Sequence, residues 1–459
     1  MKGDIILEAT LRVCDLLICG CSVVLPGFRL LEHAAIAVDR GIILEIGDVD
    51  QMRTRYQPNQ TIWAEGKLAM PGMYDCHTHT VQQLLKGGTV DEPPIIWRRI
   101  LVPYESHLTA EDRYHAARLY CLQALRAGIT MFADAGSMDM TGTARAVSET
   151  GIRAAIARVG RDLDPELPAC MCDATAEKSI SAMETFYRDY HGTADGRIHV
   201  WFSLSSPMSS SPQLVEGVAQ AAKSRNTGIH IHLGEHPAEV QTCLSRWGLR
   251  PPAFLDKYGA LGKNVIAAHC IQITDFDMQL MAERGLHVIH CPTANLPTQG
   301  IPKLLAERAA GLNIALGNDG ATSAKQDLFG QVQLLKYVTQ ATFGTPVFEP
   351  TVLPLAEAFN MMTQNGANAL GVGEQLGSLT PGKQADIVLL QVDNVNYLPS
   401  RNLLHTMMMV ASSQDVSDVI IGGKILLCNG RFTQIDEEAI LRAGKLQMQD
   451  LLRRTGLSS

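Results

Sequence analysis

The spacing of apolar residues changes character twice along the chain. From residue 1 to about 68 it follows short alternating runs punctuated by Gly, in LLICGCSVVL, AAIAVDRGIILEIG and TIWAEGKLAM, the two-residue period of β-strands. The same texture returns from about residue 377, in GSLTPGKQADIVLLQ and DVIIGGKILLCNG. Between these ends, eight apolar runs read as strands: 68–79, 130–136, 153–160, 198–206, 228–235, 264–270, 286–295 and 313–320. Helical patterns fall between them, such as AEDRYHAARLYCLQALRAG (110–128) and SPQLVEGVAQAAKSR (211–225). Strands alternating with helices predict a parallel sheet, and eight such units predict a closed (β/α)8 barrel. The expected α/β architecture is a distorted TIM barrel over 69–376. Both termini, 1–68 and 377–459, build a small β-sandwich beside it, the second part ending in a helix. An open doubly wound sheet is the alternative, but no GxGxxG follows the first run.

Bulk properties narrow the class. The 459 residues suit one barrel plus a smaller module, and 46% hydrophobic against 19% charged residues imply a sizeable core. A net charge of −8, with scattered lysines and arginines, speaks against nucleic acid as a partner. The eleven cysteines are odd in number and include no CxxC; the CxC pairs Cys19/Cys21 and Cys170/Cys172 lack a second pair at zinc-site spacing. MKGDIILEAT does not read as a signal peptide, so reduced thiols in a cytoplasmic protein are expected. No apolar run reaches the roughly 18 residues of a membrane span. The expected partner is a small molecule.

A barrel carries its chemistry at the C-terminal ends of its strands. Those ends hold His77 and His79 on the first run, His232 and Glu235 on the fifth, His269 on the sixth, His290 on the seventh and Asp319 on the eighth. The i, i+2 spacing of His77 and His79 puts both rings on one face of a strand. Neutral imidazoles and a carboxylate suit a borderline divalent metal, zinc first, with iron or manganese also accommodated. His77, His79, His232 and Asp319 would supply three histidines and a carboxylate. A single strand histidine is more often a hydrogen-bonded core residue; the weight lies in four separate strand ends carrying the right residue types. Such an ion makes hydroxide available near neutral pH, and the chemistry then needs a proton carrier. Glu235, three residues past His232, fits a general acid/base, the plain alternative being a surface carboxylate at a helix start. His269 would stabilise charge on the attacked atom, or else support a ligand from behind.

Candidate pocket residues are Trp97, Arg158, Gln82 and Met208, with Met73, Met138 and Met140. Met and Trp would line an adaptable apolar pocket, although core packing accounts for each Met equally well. Arg158 could bind a substrate anion or carbonyl, or form a structural ion pair. His290 and His236 could contact substrate or orient ligands. His230 shares a face with His232 and reads as support or packing; Cys76 alternates to the opposite face from His77 and should be packed.

These residues lie in motifs that resemble the amidohydrolase superfamily, in its branch of cytosine-, guanine-, triazine- and methylthioadenosine/S-adenosylhomocysteine-deaminase-like enzymes. PGMYDCHTH resembles PGxxxxHxH, IHLGE the HxxE motif, AAHC the sixth-strand His, HCPTANLPTQG HxPxSNxxxxxG, and GNDG GTDG. EAFNMMTQNGANALG and GSLTPGKQADIVLL resemble the segment leading back into the β-sandwich, so the likeness covers nearly the whole chain. It implies one metal held by His77, His79, His232 and Asp319, proton handling by Glu235 and His269, and Asp319 as proton acceptor as well as ligand. It also implies a homodimer or homotetramer. The implied reaction is hydrolytic deamination of a small nitrogen heterocycle of aminopurine, pterin, pyrimidine or triazine type. Hydrolysis of an amide, carbamate, urea or ring C–Cl or C–S bond is the alternative. A non-catalytic scaffold on this fold would be expected to have lost a ligand or Glu235, and none is lost. Two departures concern the substrate. Ser205 and Met208 stand where nucleoside-type relatives carry a His and an aromatic in the fourth-strand motif. Ile95 and Ile96 precede Trp97 where those relatives carry a Glu that holds ribose. Both changes remove polar recognition of a sugar. Asn318 stands where Thr is commoner.

Overall fold

The computed structural model describes residues 11–92, 96–164, 166–322 and 325–456. MKGDIILEAT and Ile95 lie outside them. Two nine-stranded sheets organise the chain. One is parallel and runs through the barrel strands in chain order: Met73–His79, Ile129–Ser137, Arg153–Gly160, Ile198–Leu204, Ile229–Leu233, Val265–His269, His287–His290 and Asn313–Leu316. The expected eighth run breaks at Gly317-Asn318. Asn313–Leu316 pairs with the seventh strand, while the two-residue strand Asp319–Gly320 pairs with Thr78 and His79 of the first and closes the ring. The seventh run is also shorter than its apolar pattern, because Pro292 starts a helix, Pro292–Thr298.

Some helices between the strands begin with side-chain caps. Thr109 and Asp112 form a capping box on Ala110–Arg126, and Ser211 caps Pro212–Arg225 just ahead of Pro at the first position. Their apolar faces and the outer faces of the strands form the main core, which includes Met73, Phe132, Ile156, Phe202, Ile231 and Val288.

The other sheet joins both termini. Its strands are Arg12–Leu25, Arg29–Asp39, Ile42–Asp48, Tyr56–Trp63 and Lys67–Pro71, then Ile387–Gln391, Val416–Ile421, Lys424–Cys428 and Arg431–Phe432. Hydrogen bonding links these strands into one continuous sheet, with Lys67–Pro71 antiparallel to Ile387–Gln391 at the centre. Residues from both ends share a core, Ile18 and Ile36 with Ile387 and Ile420. The run 68–79 is therefore two strands in two sheets, and Gly72 is the crossing point. A Cβ there would stand 2.1 Å from Thr130 Oγ1, so only Gly fits. The C-terminal helix Glu437–Thr455 packs on the barrel, with Arg454 and Gln447 on Asp112, and Leu451 in a cluster with Val81 and Leu84 just past His79. All eleven cysteines are free thiols, and among the described residues no helix is long and apolar enough to cross a membrane.

Candidate active site

The first barrel strand is buried along Met73–Thr78, and its alternation brings His77 and His79 to one side. His77 is fully buried. Its Nδ1 lies 2.8 Å from His230 Nε2, and its own Nε2 has no protein partner. With Nδ1 as the donor to His230, the Nε2 lone pair is left free. His232, on the fifth strand, is oriented the same way, with Nδ1 donating to the Ser205 carbonyl at 2.7 Å. Fixing a ring through its second nitrogen is how metal-binding imidazoles are held.

The free nitrogens converge. His232 Nε2 is 3.3 Å from His79 Nε2, and Asp319 Oδ1 lies 3.5 Å from His79 Nε2 and 3.6 Å from His77 Nε2. Tetrahedral zinc with bonds of about 2.05 Å separates its ligand atoms by about 3.3 Å, so the donor set has the right size and chemistry for such an ion. Burial lowers the pKa of His77 and of His232 to about 4, which keeps both rings in the neutral form that binds metal. Burial alone would raise the Asp319 carboxyl, but His77, His269 and His79 hold it well below the usual range. Asp319 has φ +62°, in the left-handed region, and Asn318 fixes the turn before it. Asn318 donates its backbone N–H to Oδ1 and its side-chain Nδ2 to Oδ2 of buried Asp75, and its Oδ1 accepts from the Asp327 N–H and Gln331 Nε2. Burial lifts the Asp75 pKa to about 6 against those bonds.

A second group of side chains adjoins the first. His269 ends the sixth strand with φ +76°, and its Nε2 lies 3.9 Å from Glu235 Oε1. Asn295 Oδ1 accepts the Cys291 N–H, so its amide nitrogen faces His269 Nδ1 at 2.8 Å. His269 Nδ1 is therefore an acceptor, and the proton sits on Nε2, toward Glu235. Gln299 Nε2 donates to Glu235 Oε1 at 2.7 Å, and His236 Nε2 is 3.2 Å from the same oxygen. Burial would raise the Glu235 carboxyl, but His269, His236 and His232 hold it at about 2. Glu239, one helical turn on, accepts the backbone N–H groups of Gly234 and Glu235 at 2.9 and 3.0 Å and so fixes the turn that carries Glu235.

The candidate pocket residues divide. Gln82 lies at the site: its Oε1 packs against Gly320, where a Cβ would meet it at 1.8 Å, and its Nε2 donates to Glu105. Trp97 begins a helical turn over the strand ends, and Met208 is half-buried just past the fourth strand. Arg158 is not a substrate contact. It alternates with Ala157 toward the helix Ala176–Tyr190, where both guanidinium nitrogens are held by Asp173 at 2.5 and 2.7 Å. His290 is also corrected: it is fully buried, with Nδ1 on the His269 carbonyl and Nε2 on Glu307 at 2.6 Å. Met73 and Met140 are core, the Met140 sulfur accepting the Ser137 N–H, and Cys76 is packed against the Gly366 carbonyl. Met138 lines an outer groove with Arg158. Sequence reasoning missed Gln299, Asn295 and Glu239, and ranked His236 too low. The i, i+4 spacing of Glu235 and Glu239 was one available signal, and Asn295 and Gln299 lie within the HCPTANLPTQG motif.

Comparison with known proteins agrees with this architecture. Residues 68–426 match the model of the amidohydrolase family. A 5-methylthioadenosine/S-adenosylhomocysteine deaminase of Moorella thermoacetica is 31% identical over 93% of this chain and 97% of its own. A 5'-deoxyadenosine deaminase of Methanosarcina acetivorans is 30% identical over 92% and 95%. The crystal structure of a zinc-bound adenosine deaminase from Xanthomonas campestris superposes with a TM-score of 0.89 at 27% identity, covering 96% of this chain and all of the other. With the barrel, the converging histidines and this match over most of its length, the chain belongs to the amidohydrolase family.

Proposed function

We propose that the protein is a metal-dependent aminohydrolase that releases ammonia from a small nitrogen heterocycle. The observation that carries this reading is the convergence of two groups of side chains. Ligand atoms of His77, His79, His232 and Asp319, with three neighbouring pairs 3.3–3.6 Å apart, stand beside a carboxylate–imidazole pair, Glu235 and His269. In this reading His77, His79, His232 and Asp319 hold one divalent ion, zinc first, which when bound supplies a Lewis acid that activates water near neutral pH. The remaining work belongs to the protein. Asp319, ionised, accepts the first proton of the attacking water at its second carboxylate oxygen and passes it to the ring nitrogen beside the attacked carbon. Glu235, ionised and held by Gln299, takes up the second proton of that water at its carboxylate and delivers it to the departing amine. His269 directs Nε2–H at the charge that builds on the attacked ring. Deamination is favoured over the other hydrolyses because relatives matching more than nine-tenths of this chain bear deaminase names.

The test is ammonia release by metal-loaded protein from aminopurines, aminopyrimidines, aminopterins, aminotriazines and methylthioadenosine, with mass spectrometry of each product. Ammonia with a one-unit mass gain is expected for one ring class. Silence across the panel, at about one metal per chain, would transfer the reading to amide, carbamate or ring C–Cl and C–S hydrolysis.

A further inference from the structure

We propose that Arg161, steadied by Trp97, is a substrate-binding residue that receives a planar acceptor oxygen, either the lactam oxygen of an oxo-heterocycle or a carboxylate on a side arm. The proposal rests on the reading of this face as a substrate site and names what the substrate must present to it. Arg161 follows Gly160, the last residue of the third barrel strand, so it springs from the catalytic end of the barrel. It is 5% exposed, yet its Nε has no partner, and its one side-chain hydrogen bond among the described residues is a long one, 3.4 Å from Nη1 to the Met171 carbonyl. Two carboxylates act on it through space, Glu105 before Asp164, but neither hydrogen-bonds its guanidinium. Asp164 is gripped by Arg98 at 2.7 and 2.9 Å, and Glu105 accepts from Gln82 at 3.0 Å.

A guanidinium stays charged at neutral pH even when burial lowers its pKa, as it does here. A buried cation without a counterion is costly, and proteins rarely keep one unless something completes it. The surroundings hold Arg161 in place rather than neutralise it. Its carbonyl accepts from Asp173 at 2.9 Å, the next two residues donate to the Ser209 carbonyl at 3.1 and 3.2 Å, and the Trp97 ring lies 5.4 Å from the guanidinium. The free Nε lies on the planar edge of the fork that binds a carboxylate or carbonyl in-plane. Glu105, whose charge acts on Arg161, bonds Gln82, and Gln82 packs on Gly320 beside Asp319, so a chain of side chains links the fork to the reacting centre. Arg158, three residues earlier and within the strand, differs, because Asp173 already fills its fork.

The experiment measures binding by equilibrium dialysis to metal-loaded wild type, Arg161→Met and Arg161→Lys. The probes are two pairs: guanine against adenine for the lactam, and S-adenosylhomocysteine against methylthioadenosine for the carboxylate. Arg161→Met is expected to weaken the oxygen-bearing member of one pair by about 10- to 100-fold and its partner by less than about twofold, with partial recovery in Arg161→Lys. The responding pair identifies the source of the oxygen. Thermal unfolding of Arg161→Met is expected at or above the wild-type midpoint, since an unpaired buried charge has been removed. Affinity independent of Arg161 for all four probes would overturn the proposal, as would a lowered midpoint with both members of each pair weakened alike, which marks a packing role. Arg161-dependent binding without ammonia release would leave the subsite standing and remove the deaminase reading; release with Arg161-independent affinity would do the reverse.

Discussion

Protonation decides what each histidine of the site contributes. Burial holds His77, His232 and His269 at about 4 and His230 well below its ordinary value. In the unfolded chain these rings protonate near 6.5, so as pH falls the unfolded state takes up protons first. Stability is therefore fully present above about 6.5 and lost progressively toward pH 4. In chelator-treated protein, the urea midpoint should fall between pH 7.5 and pH 5 by the equivalent of roughly 1–2 kcal/mol per histidine. A flat midpoint would mean that the rings are not buried and neutral as described. Glu235 is tested differently, because its proposed role is in the chemistry and not in the fold. Glu235→Gln should keep about one metal per chain and lose roughly two to four orders of magnitude in turnover. Normal turnover with metal retained would take Glu235 out of the mechanism.

At the scale of elements, the site depends on how closely neighbouring strand ends approach. Gly317, between the two short segments of the eighth strand, faces His77: a Cβ there would stand 2.7 Å from His77 Cβ and 2.8 Å from its carbonyl oxygen. Gly317→Ala must push the first strand aside. We expect a loss of about 1–3 kcal/mol in stability together with a lowered metal content. Gly330→Ala is the control, since a Cβ there meets nothing within 4 Å and Ala favours the helix Leu328–Thr339. Full metal occupancy in Gly317→Ala would show that the strands tolerate the wider spacing. This geometry also marks the limit of what the sequence discloses. Alternation located every barrel strand and the histidines at their ends, because a period of two is local. The break at Gly317-Asn318 was hidden, since it arises when Asp319 pairs with Thr78, a contact between distant residues. Arg158 was legible in hindsight: Ile156 faces the helices, and alternation sends Arg158 the same way. Arg161 was not legible, because its burial comes from Trp97 and Met171 in separate loops.

The whole molecule is held together at the barrel end opposite the chemistry. Arg153 opens the third barrel strand, and Asp386 immediately precedes the strand Ile387–Gln391 of the terminal sheet. Their side chains meet in a buried fork, Nε to Oδ2 at 2.8 Å and Nη2 to Oδ1 at 3.1 Å, with Nη2 also on Gln384. Asp386 is further tied by its Oδ1 to the Gly422 N–H and by its carbonyl to Gly72, the residue where the chain passes from one sheet to the other. Removing one member of a buried pair leaves the other charge stranded, so Asp386→Ala should cost about 3–5 kcal/mol. Arg153→Met should cost less, because Asp386 keeps the Gly422 N–H. The double variant Arg153→Met/Asp386→Ala should be more stable than Asp386→Ala alone, since no charge is then left unpaired. Denaturation of the four proteins measures this coupling. Strictly additive losses would mean that the pair is solvated rather than buried. Metal content and turnover of the folded variants, measured well below their unfolding midpoints, should match wild type, because barrel chemistry sits at the other ends of the strands. A parallel fall in turnover would show instead that the terminal sheet sets the spacing of the catalytic face through the first and third strands.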